Sequence, residues 1–220
     1  VKTLDRLGLS KNTMIIFTSD NGPWLNYGNH AGSAGGFREG KGTTFEGGHR
    51  VPAIICWPAV IPAGTVCNQL TSTIDIFPTM AELLHLPLPK VQVDGLSFLP
   101  FLHGKQNQPI RREFLYYYRK NALEAVRYDH WKLVFKHPGR TYTQHLPGND
   151  GFPGTTPEDF PFPVALYNLS RDPTELYDVK DAHPDIMKKL TQLAEKARSD
   201  LGDDLTSAPG NGRRPVGTVH

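Results

Sequence analysis

The sequence predicts an α/β chain in two regions, 1–110 and 111–220. The first alternates short apolar strands with a helix, and the second packs a small antiparallel sheet on one long helix. Three observations carry this. Two apolar runs, Met14 to Phe17 and Val51 to Trp57, alternate with a segment, Ile74 to Leu86, that bears Ile76, Met80, Leu83 and Leu84 at helical spacing. From Glu113 onward the pattern changes to strands, at Phe114 to Tyr118, Ala122 to Tyr128, Lys132 to Lys136 and Val164 to Leu169. A single helix then runs from about Pro184 to Leu201.

The first strand, Met14 to Phe17, runs straight into Thr18-Ser19-Asp20-Asn21-Gly22. Consecutive apolar residues followed at once by turn residues read as a fully buried, parallel strand leaving its sheet at the carboxyl end, the edge where open α/β sheets bind ligands. Ser72 or Thr73 is placed to cap the helix over Ile74 to Leu86, and Asp75 reads as a cap or turn acceptor in preference to a metal ligand. The last helix opens His183-Pro184-Asp185, with proline in the first turn and an acid at the positive dipole end. Ile186, Leu190, Leu193 and Ala197 form its core stripe, with Lys188, Lys189 and Lys196 outside. Between Gly139 and Pro163, five prolines and four glycines predict neither strand nor helix. A loop of that length is functional or disordered, and Tyr142, His145 and Phe152 are its candidate contacts to a sugar or aryl group. The tail from Ser207 to His220, with Arg213 and Arg214, reads as either a strap or a disordered end.

A formal net charge of +2 over 220 residues, with acids and bases interspersed, gives no basic face for nucleic acid and no polybasic membrane anchor. The longest apolar run, Val51 to Pro62, is broken by three prolines and falls short of the roughly 18 residues that span a bilayer. Cys56, inside an apolar run, reads as a small buried hydrophobe, while Cys67 suits either a thiol or a disulfide. Asn168-Leu169-Ser170 is a glycosylation sequon.

The chemistry concentrates between Thr18 and Arg50. Asp20 and Asn21 supply adjacent hard oxygen atoms, which suit calcium or magnesium better than zinc or copper, so they are the candidate metal ligands. Eight of the 21 glycines fall between Gly28 and Gly48, as in a backbone selected for positive φ or close approach to a ligand. Lys41, flanked by Gly40 and Gly42, has no neighbour in sequence against which to bury its ammonium and is free to reach toward an anion. His30, between Asn29 and Gly32, is a second candidate for hydrogen bonding to such an anion or to a leaving oxygen. A nucleotide-binding reading starts from Gly35, Gly40 and Lys41 but fails at Gly42, where a phosphate loop carries a hydroxyl residue. Gly47, Gly48 and Pro52 are also expected to forbid a helix after Lys41.

Taken together, Phe17-Thr18-Ser19-Asp20-Asn21-Gly22 and Gly40-Lys41-Gly42-Thr43-Thr44-Phe45-Glu46-Gly47-Gly48, followed by Arg50-Val51-Pro52, resemble the sulfatase family of the alkaline-phosphatase-like superfamily. Ser72 to Thr79, Asp94-Gly95 and Leu166 to Glu175 agree more loosely. The resemblance implies part of a doubly wound mixed sheet with helices, beside a smaller carboxyl-terminal antiparallel sheet packed on a helix. It implies that Asp20 and Asn21 bind a divalent cation, usually calcium, with magnesium as the alternative. It also implies that Lys41 contacts an oxygen of the sulfate ester, and so is both catalytic and substrate-binding. Lysine and cation together would withdraw charge from the crowded transition state of attack at sulfur.

The family's nucleophile is a formylglycine made from Cys/Ser-x-Pro-x-Arg, and neither cysteine begins that motif. Ser207 is a near miss, with Asn211 where arginine is required. The chain is therefore expected to be the carboxyl-terminal part of a sulfatase, inactive alone, whose amino-terminal part supplies the formylglycine. The expected substrate is a sulfated small molecule or glycan, and the expected location is secreted, periplasmic or lysosomal. The alternatives are a phosphatase or phosphodiesterase of the same superfamily, or a non-catalytic relative that binds sulfated glycans.

Overall fold

The computed structural model describes residues 1–104 and 108–214. In chain order the elements are α1 (Lys2–Arg6), β1 (Ile15–Thr18), α2 (Glu46–His49), β2 (Ala53–Cys56), α3 (Ile76–Leu83), α4 (Leu99–Leu102), β3 (Glu113–Tyr118), β4 (Ala122–Tyr128), β5 (Trp131–Val134), β6 (His137–Gly139), β7 (Phe160–Phe162), β8 (Ala165–Asn168) and α5 (Pro184–Leu201). They fall into two compact units that do not follow chain order. One is Val1–Asp20 with Pro52–Arg112, and the other is Asn21–Val51 with the described residues of Glu113–His220.

In the first unit β1 pairs antiparallel with β2, from Ile15↔Cys56 to Thr18↔Ala53. This corrects the parallel, fully buried strand expected from the apolar run. Phe17 and Ile54 face each other across the ladder and are 62% and 61% exposed. An unbroken apolar run identifies a strand with two apolar faces, but it carries no information on the direction of the neighbour. Met14, Ile55, Trp57, Ile76 and Leu83 pack around buried Phe98, Leu99 and Leu102. The helix over Ile74 to Leu86 is a 3-10 turn, Thr73–Asp75, continued by α3, and it stops at Leu83 because His85 takes a left-handed φ of 54°. Its start is a capping box between Ser72 and Asp75. The fully buried Asp75 carboxylate also accepts from the Leu96 amide at 2.8 Å and pairs with Arg111, so it is a structural acceptor, as read.

In the second unit β3, β4, β5 and β8 form one sheet in that order, antiparallel throughout. Side-chain alternation gives the sheet two apolar faces. Leu123, Val126, Leu133 and Leu166 pack on Leu190, Ala194 and Ala197 of α5. Leu190 is completely buried there, and its truncation to alanine would cost about 2–5 kcal/mol. Tyr116, Ala125, Val134, Ala165 and Tyr167 form the other face, against Phe45 from the glycine-rich segment and Phe162. The register shifts between Tyr116 and Tyr117, which pair with Ala125 and Leu123, so Glu124 is the extra residue of a bulge.

Two segments expected to be irregular are ordered. β6 ends at Gly139, where the proline-rich region begins, and pairs with β7 inside that region, with Pro138 opposite Pro161, a position from which neither residue has an N–H to give. Residues 207–212 fold back along the end of α5, where the amides of Asn211 and Gly212 donate to the carbonyls of Ser199 and Asp200. The end of that tail, 215–220, lies outside the described residues. Both cysteines are free, Cys56 half-buried in β2 and Cys67 exposed. Among the described residues no helix is long and apolar enough to cross a membrane.

Candidate functional site

The two sequence blocks singled out above are tied together through their backbones. Gly22, directly after Asn21, donates its N–H to the Gly48 carbonyl at 2.8 Å, and the Lys41 N–H donates to the Pro23 carbonyl at 2.9 Å. Glycine is required at these crossings by space. A Cβ on Gly22 would lie 1.8 Å from the Gly47 carbonyl oxygen, and one on Gly47 would lie 2.1 Å from that of Glu39. The residue after the candidate metal ligands is thereby fixed to the segment that carries the candidate cation. The chain then makes one helical turn, α2, through Gly47 and Gly48. The expectation that these glycines forbid any helix is therefore wrong for a single turn, because their cost is offset by the close approach they permit.

Lys41 has a neighbour that sequence did not reveal: its ammonium lies 5.2 Å from the centre of the Trp24 ring. The side chain is thus presented over an aromatic face, a weak attraction that leaves the charge available. Its backbone carbonyl accepts from the Tyr142 phenol at 2.6 Å. Glu39, two residues before Lys41, is buried with a left-handed φ of 60°, and its carboxylate takes the Thr141 hydroxyl and the Tyr142 amide, both at 2.7 Å. Tyr142, considered above as a substrate contact, uses its hydroxyl to hold the Lys41 peptide.

His30 is exposed and is clipped to the long loop. Asn29 Oδ1 accepts from the Asp150 amide at 3.0 Å, and the Gly151 amide donates to His30 Nδ1 at 3.1 Å. His30 Nδ1 is also 2.7 Å from Asn29 Oδ1, a contact that requires a proton on Nδ1, whereas the Gly151 bond requires a lone pair there. The two contacts belong to different ring tautomers, so Nδ1 makes only one of them at a time. The Gly148 and Gly154 amides both donate to the Asn26 carbonyl at 2.7 Å, which closes the loop over a small cavity of about 180 Å³ lined by Leu25, Asn26, Tyr142, His145, Thr155 and Thr156.

Asp20, exposed at the end of β1, and Asn21, half-buried beside it, are consecutive hard-oxygen donors. They suit a calcium or magnesium ion chemically, but calcium takes six to eight oxygen ligands, so they form only part of a set. Among the described residues no group of three or more His, Cys, Asp or Glu side chains gathers to hold a metal.

Sequence reading missed a buried charged cluster under the glycine-rich segment. Lys132, on β5, is completely buried; its Nζ donates to the Thr44 carbonyl at 2.7 Å and lies 2.8 Å from Glu175 Oε1 and 3.3 Å from Glu46 Oε1. Burial works to strip the Lys132 proton, but the carboxylates of Glu175 and Glu46 outweigh it and hold the ammonium above its ordinary range. Burial likewise opposes ionisation of Glu46, yet Lys132 and Arg127 together keep its carboxyl below the usual range. Glu175 is pushed up, by burial first, because it competes with Glu46 for the same ammonium. Tyr116, against both, is pushed up to about 12, chiefly by burial. Beside them the bulged Glu124 accepts the Thr44 hydroxyl at 3.0 Å and faces His137 Nε2 at 3.3 Å, and burial raises its carboxyl from 4.5 to about 7. His137 donates from Nδ1 to the Phe135 carbonyl, and burial pushes its imidazole down, so the two groups form a neutral pair. The signal available in sequence was the lysine within Trp131-Lys132-Leu133-Val134, an odd residue in an apolar strand.

Comparison with known proteins gives the family of the chain. The profile of the sulfatase family matches residues 1–86, and the profile described as the C-terminal region of aryl-sulfatase matches residues 110–215. Human arylsulfatase A is 36% identical over 214 residues, covering 92% of this chain and 41% of that protein. Mouse N-acetylgalactosamine-6-sulfatase is 38% identical, covering 90% of this chain and 40% of its own length. A solved sulfatase from Pseudoalteromonas sp. superposes with a TM-score of 0.75 at 28% identity, over 96% of this chain and 41% of that one. The chain thus spans about 40% of the length of the relatives it matches. With both profiles aligned along it, and with the fold of a solved family member, the chain belongs to the sulfatase family and corresponds to its carboxyl-terminal region.

Proposed function

We propose that this chain is the carboxyl-terminal part of an enzyme that hydrolyses sulfate esters of a sugar or aryl alcohol. In this reading Asp20 and Asn21 hold part of the shell of a calcium ion, and Lys41 faces the sulfate. The formylglycine nucleophile comes from the amino-terminal part of the same protein. The observation that carries the reading is the pair of backbone bonds, Gly22 to Gly48 and Lys41 to Pro23, which fix the chain directly after Asn21 to the Lys41 segment.

The chain's own residues act by binding and orientation. Lys41 donates to a peripheral sulfate oxygen and stabilises charge that grows there as the ester oxygen departs; donors of this kind are worth about 10²–10³ in kcat. The Tyr142 and Pro23 bonds fix the Lys41 backbone, so little of that stabilisation is spent on ordering it. His30 presents its other ring nitrogen toward substrate, with Nδ1 held by either Asn29 or Gly151 according to its tautomer. When bound, the cation adds Lewis-acid polarisation of the sulfate. A secreted, periplasmic or lysosomal location goes with this reading.

The test is kcat/KM of the full-length polypeptide for an aryl sulfate and the matching aryl phosphate, before and after chelation. Sulfate turnover that falls with chelator and returns with calcium is expected. A tenfold preference for phosphate would move the protein to the phosphatase branch, and retention on heparin without turnover would make it a binding protein.

A further inference from the structure

Lys132 and Glu175 are completely buried and Glu46 nearly so, out of reach of a substrate, yet the fold keeps three charges together in the interior. Stability alone does not account for this, since replacing a buried ion triad by uncharged groups is often neutral or favourable. What the triad does is positional. Two of its three partners on Lys132 Nζ, the Thr44 carbonyl and the Glu46 carboxylate, belong to the segment just after Lys41. The third, Glu175, uses its other oxygen to accept the Glu46 amide at 2.6 Å. The Thr44 hydroxyl is taken by Glu124, and Phe45, between them, is sunk among Tyr116, Val134 and Phe162. Residues 44–46 are thus fixed to β5 and β4 by backbone and side chain alike, while Thr43 ties back to the Gly40 carbonyl across Lys41.

We propose that Lys132, with Glu175 and Glu46, is a positioning residue that sets the placement of the Lys41 ammonium by locking the 40–46 segment onto the sheet. The proposal rests on the reading of Lys41 as the sulfate-facing cation. An ammonium is suited to the task because one group with three donors reaches a carbonyl and two carboxylates that no apolar side chain would hold apart.

The test uses the full-length enzyme carrying Lys132→Met, and the triple variant Glu46→Gln, Lys132→Met, Glu175→Gln, in which no buried charge is left unpaired. The single variant is expected to lower the melting temperature and the triple to recover most of that loss. Both are expected to lose at least tenfold in kcat/KM for an aryl sulfate. In a Lys41→Ala background the triple substitution is expected to cost nothing further, because its effect passes through Lys41. A triple variant with unchanged kcat/KM, or one whose loss multiplies with that of Lys41→Ala, overturns the proposal. Amide hydrogen exchange supplies an independent arm in Glu175→Gln. Faster exchange at 41–46 with unchanged exchange in β4 and β5 supports the lock, and unchanged exchange at 41–46 refutes it. Absence of sulfatase activity in the unmodified enzyme would sink the functional reading while leaving the exchange result to judge the lock.

Discussion

Replacing Glu124 by glutamine should make the carboxyl-terminal sheet more stable at alkaline pH and slightly less stable in acid. Glu124 is 2% exposed, accepts the Thr44 hydroxyl and faces His137, and its carboxyl is raised from 4.5 to about 7 by burial, against the opposing pulls of Thr44 and Arg119. Between those two values the folded chain holds a proton that the unfolded chain has released, so this group's contribution is fully present below pH 4.5 and is lost as pH rises through 7. A shift of that size corresponds to about 3 kcal/mol. Glutamine carries no titrating proton but keeps only one of the two bonds, because Thr44 Oγ1 and His137 Nε2 meet the same carboxyl oxygen and an amide group cannot both accept and donate through one atom, so the variant should lie about 1 kcal/mol below the parent near pH 4.5 and exceed it by about 2 kcal/mol above pH 8. His137 contributes an opposite slope, since its imidazole is pushed down, but that slope is common to both proteins and cancels in the difference. The assay is the opening free energy of β4 and β5 amides by hydrogen exchange from pH 4.5 to 8.5. A difference between the two proteins that does not vary with pH would refute the neutral Glu124–His137 pair.

Other consequences follow from single contacts. Gly47→Ala would put a methyl 2.1 Å from the Glu39 carbonyl oxygen and 2.4 Å from that of Arg38, so exchange protection across 38–48 should be lost, as read by peptide-level hydrogen exchange. Asp75→Ala leaves Arg111 and the Ser72 and Leu96 amides without their acceptor and should cost about 3–5 kcal/mol in urea unfolding, with Asp75→Asn costing less. Tyr142→Phe removes one hydrogen bond to the Lys41 carbonyl and should lower kcat/KM for an aryl sulfate about tenfold, with a melting temperature within a few degrees of the parent. Asp20→Ala should weaken calcium binding by calorimetry and reduce turnover, without altering the β1–β2 pairing.

Much of the second unit was legible because its periodicities are regular. The helix Pro184–Leu201 and the strand Ala122–Tyr128 lie where the pattern puts them, since the helix carries its start signal in Pro184 and Asp185 and the strand is an apolar-rich run bounded by Asn121 and Asp129. β6 and β7 were hidden, because two prolines argue against strands unless they oppose each other, and opposition is a property of pairing that a linear pattern does not contain. The direction of β1 was hidden for the same reason. Asp20, Asn21, Lys41 and His30 stand out in the sequence as candidates by their chemistry and spacing, but the contacts around them do not. The Trp24 ring under Lys41, the Tyr142 phenol and the Lys132 cluster come from positions as many as 134 residues away along the chain, counting from Lys41 to Glu175. Buried polar networks of this kind are set by three-dimensional satisfaction of donors and acceptors, and in sequence they surface only as an unexpected charge such as Lys132.

The central claim is that Asp20, Asn21 and Lys41 serve one sulfate ester. Its most direct test is a crystal structure of the full-length protein grown with calcium and soaked with a slowly turned-over sulfate ester. The account predicts the cation on the Asp20 and Asn21 oxygens and the Lys41 ammonium within hydrogen-bond distance of a sulfate oxygen. A sulfate bound elsewhere, with the Lys41 ammonium still over Trp24 and no cation at Asp20, would contradict it.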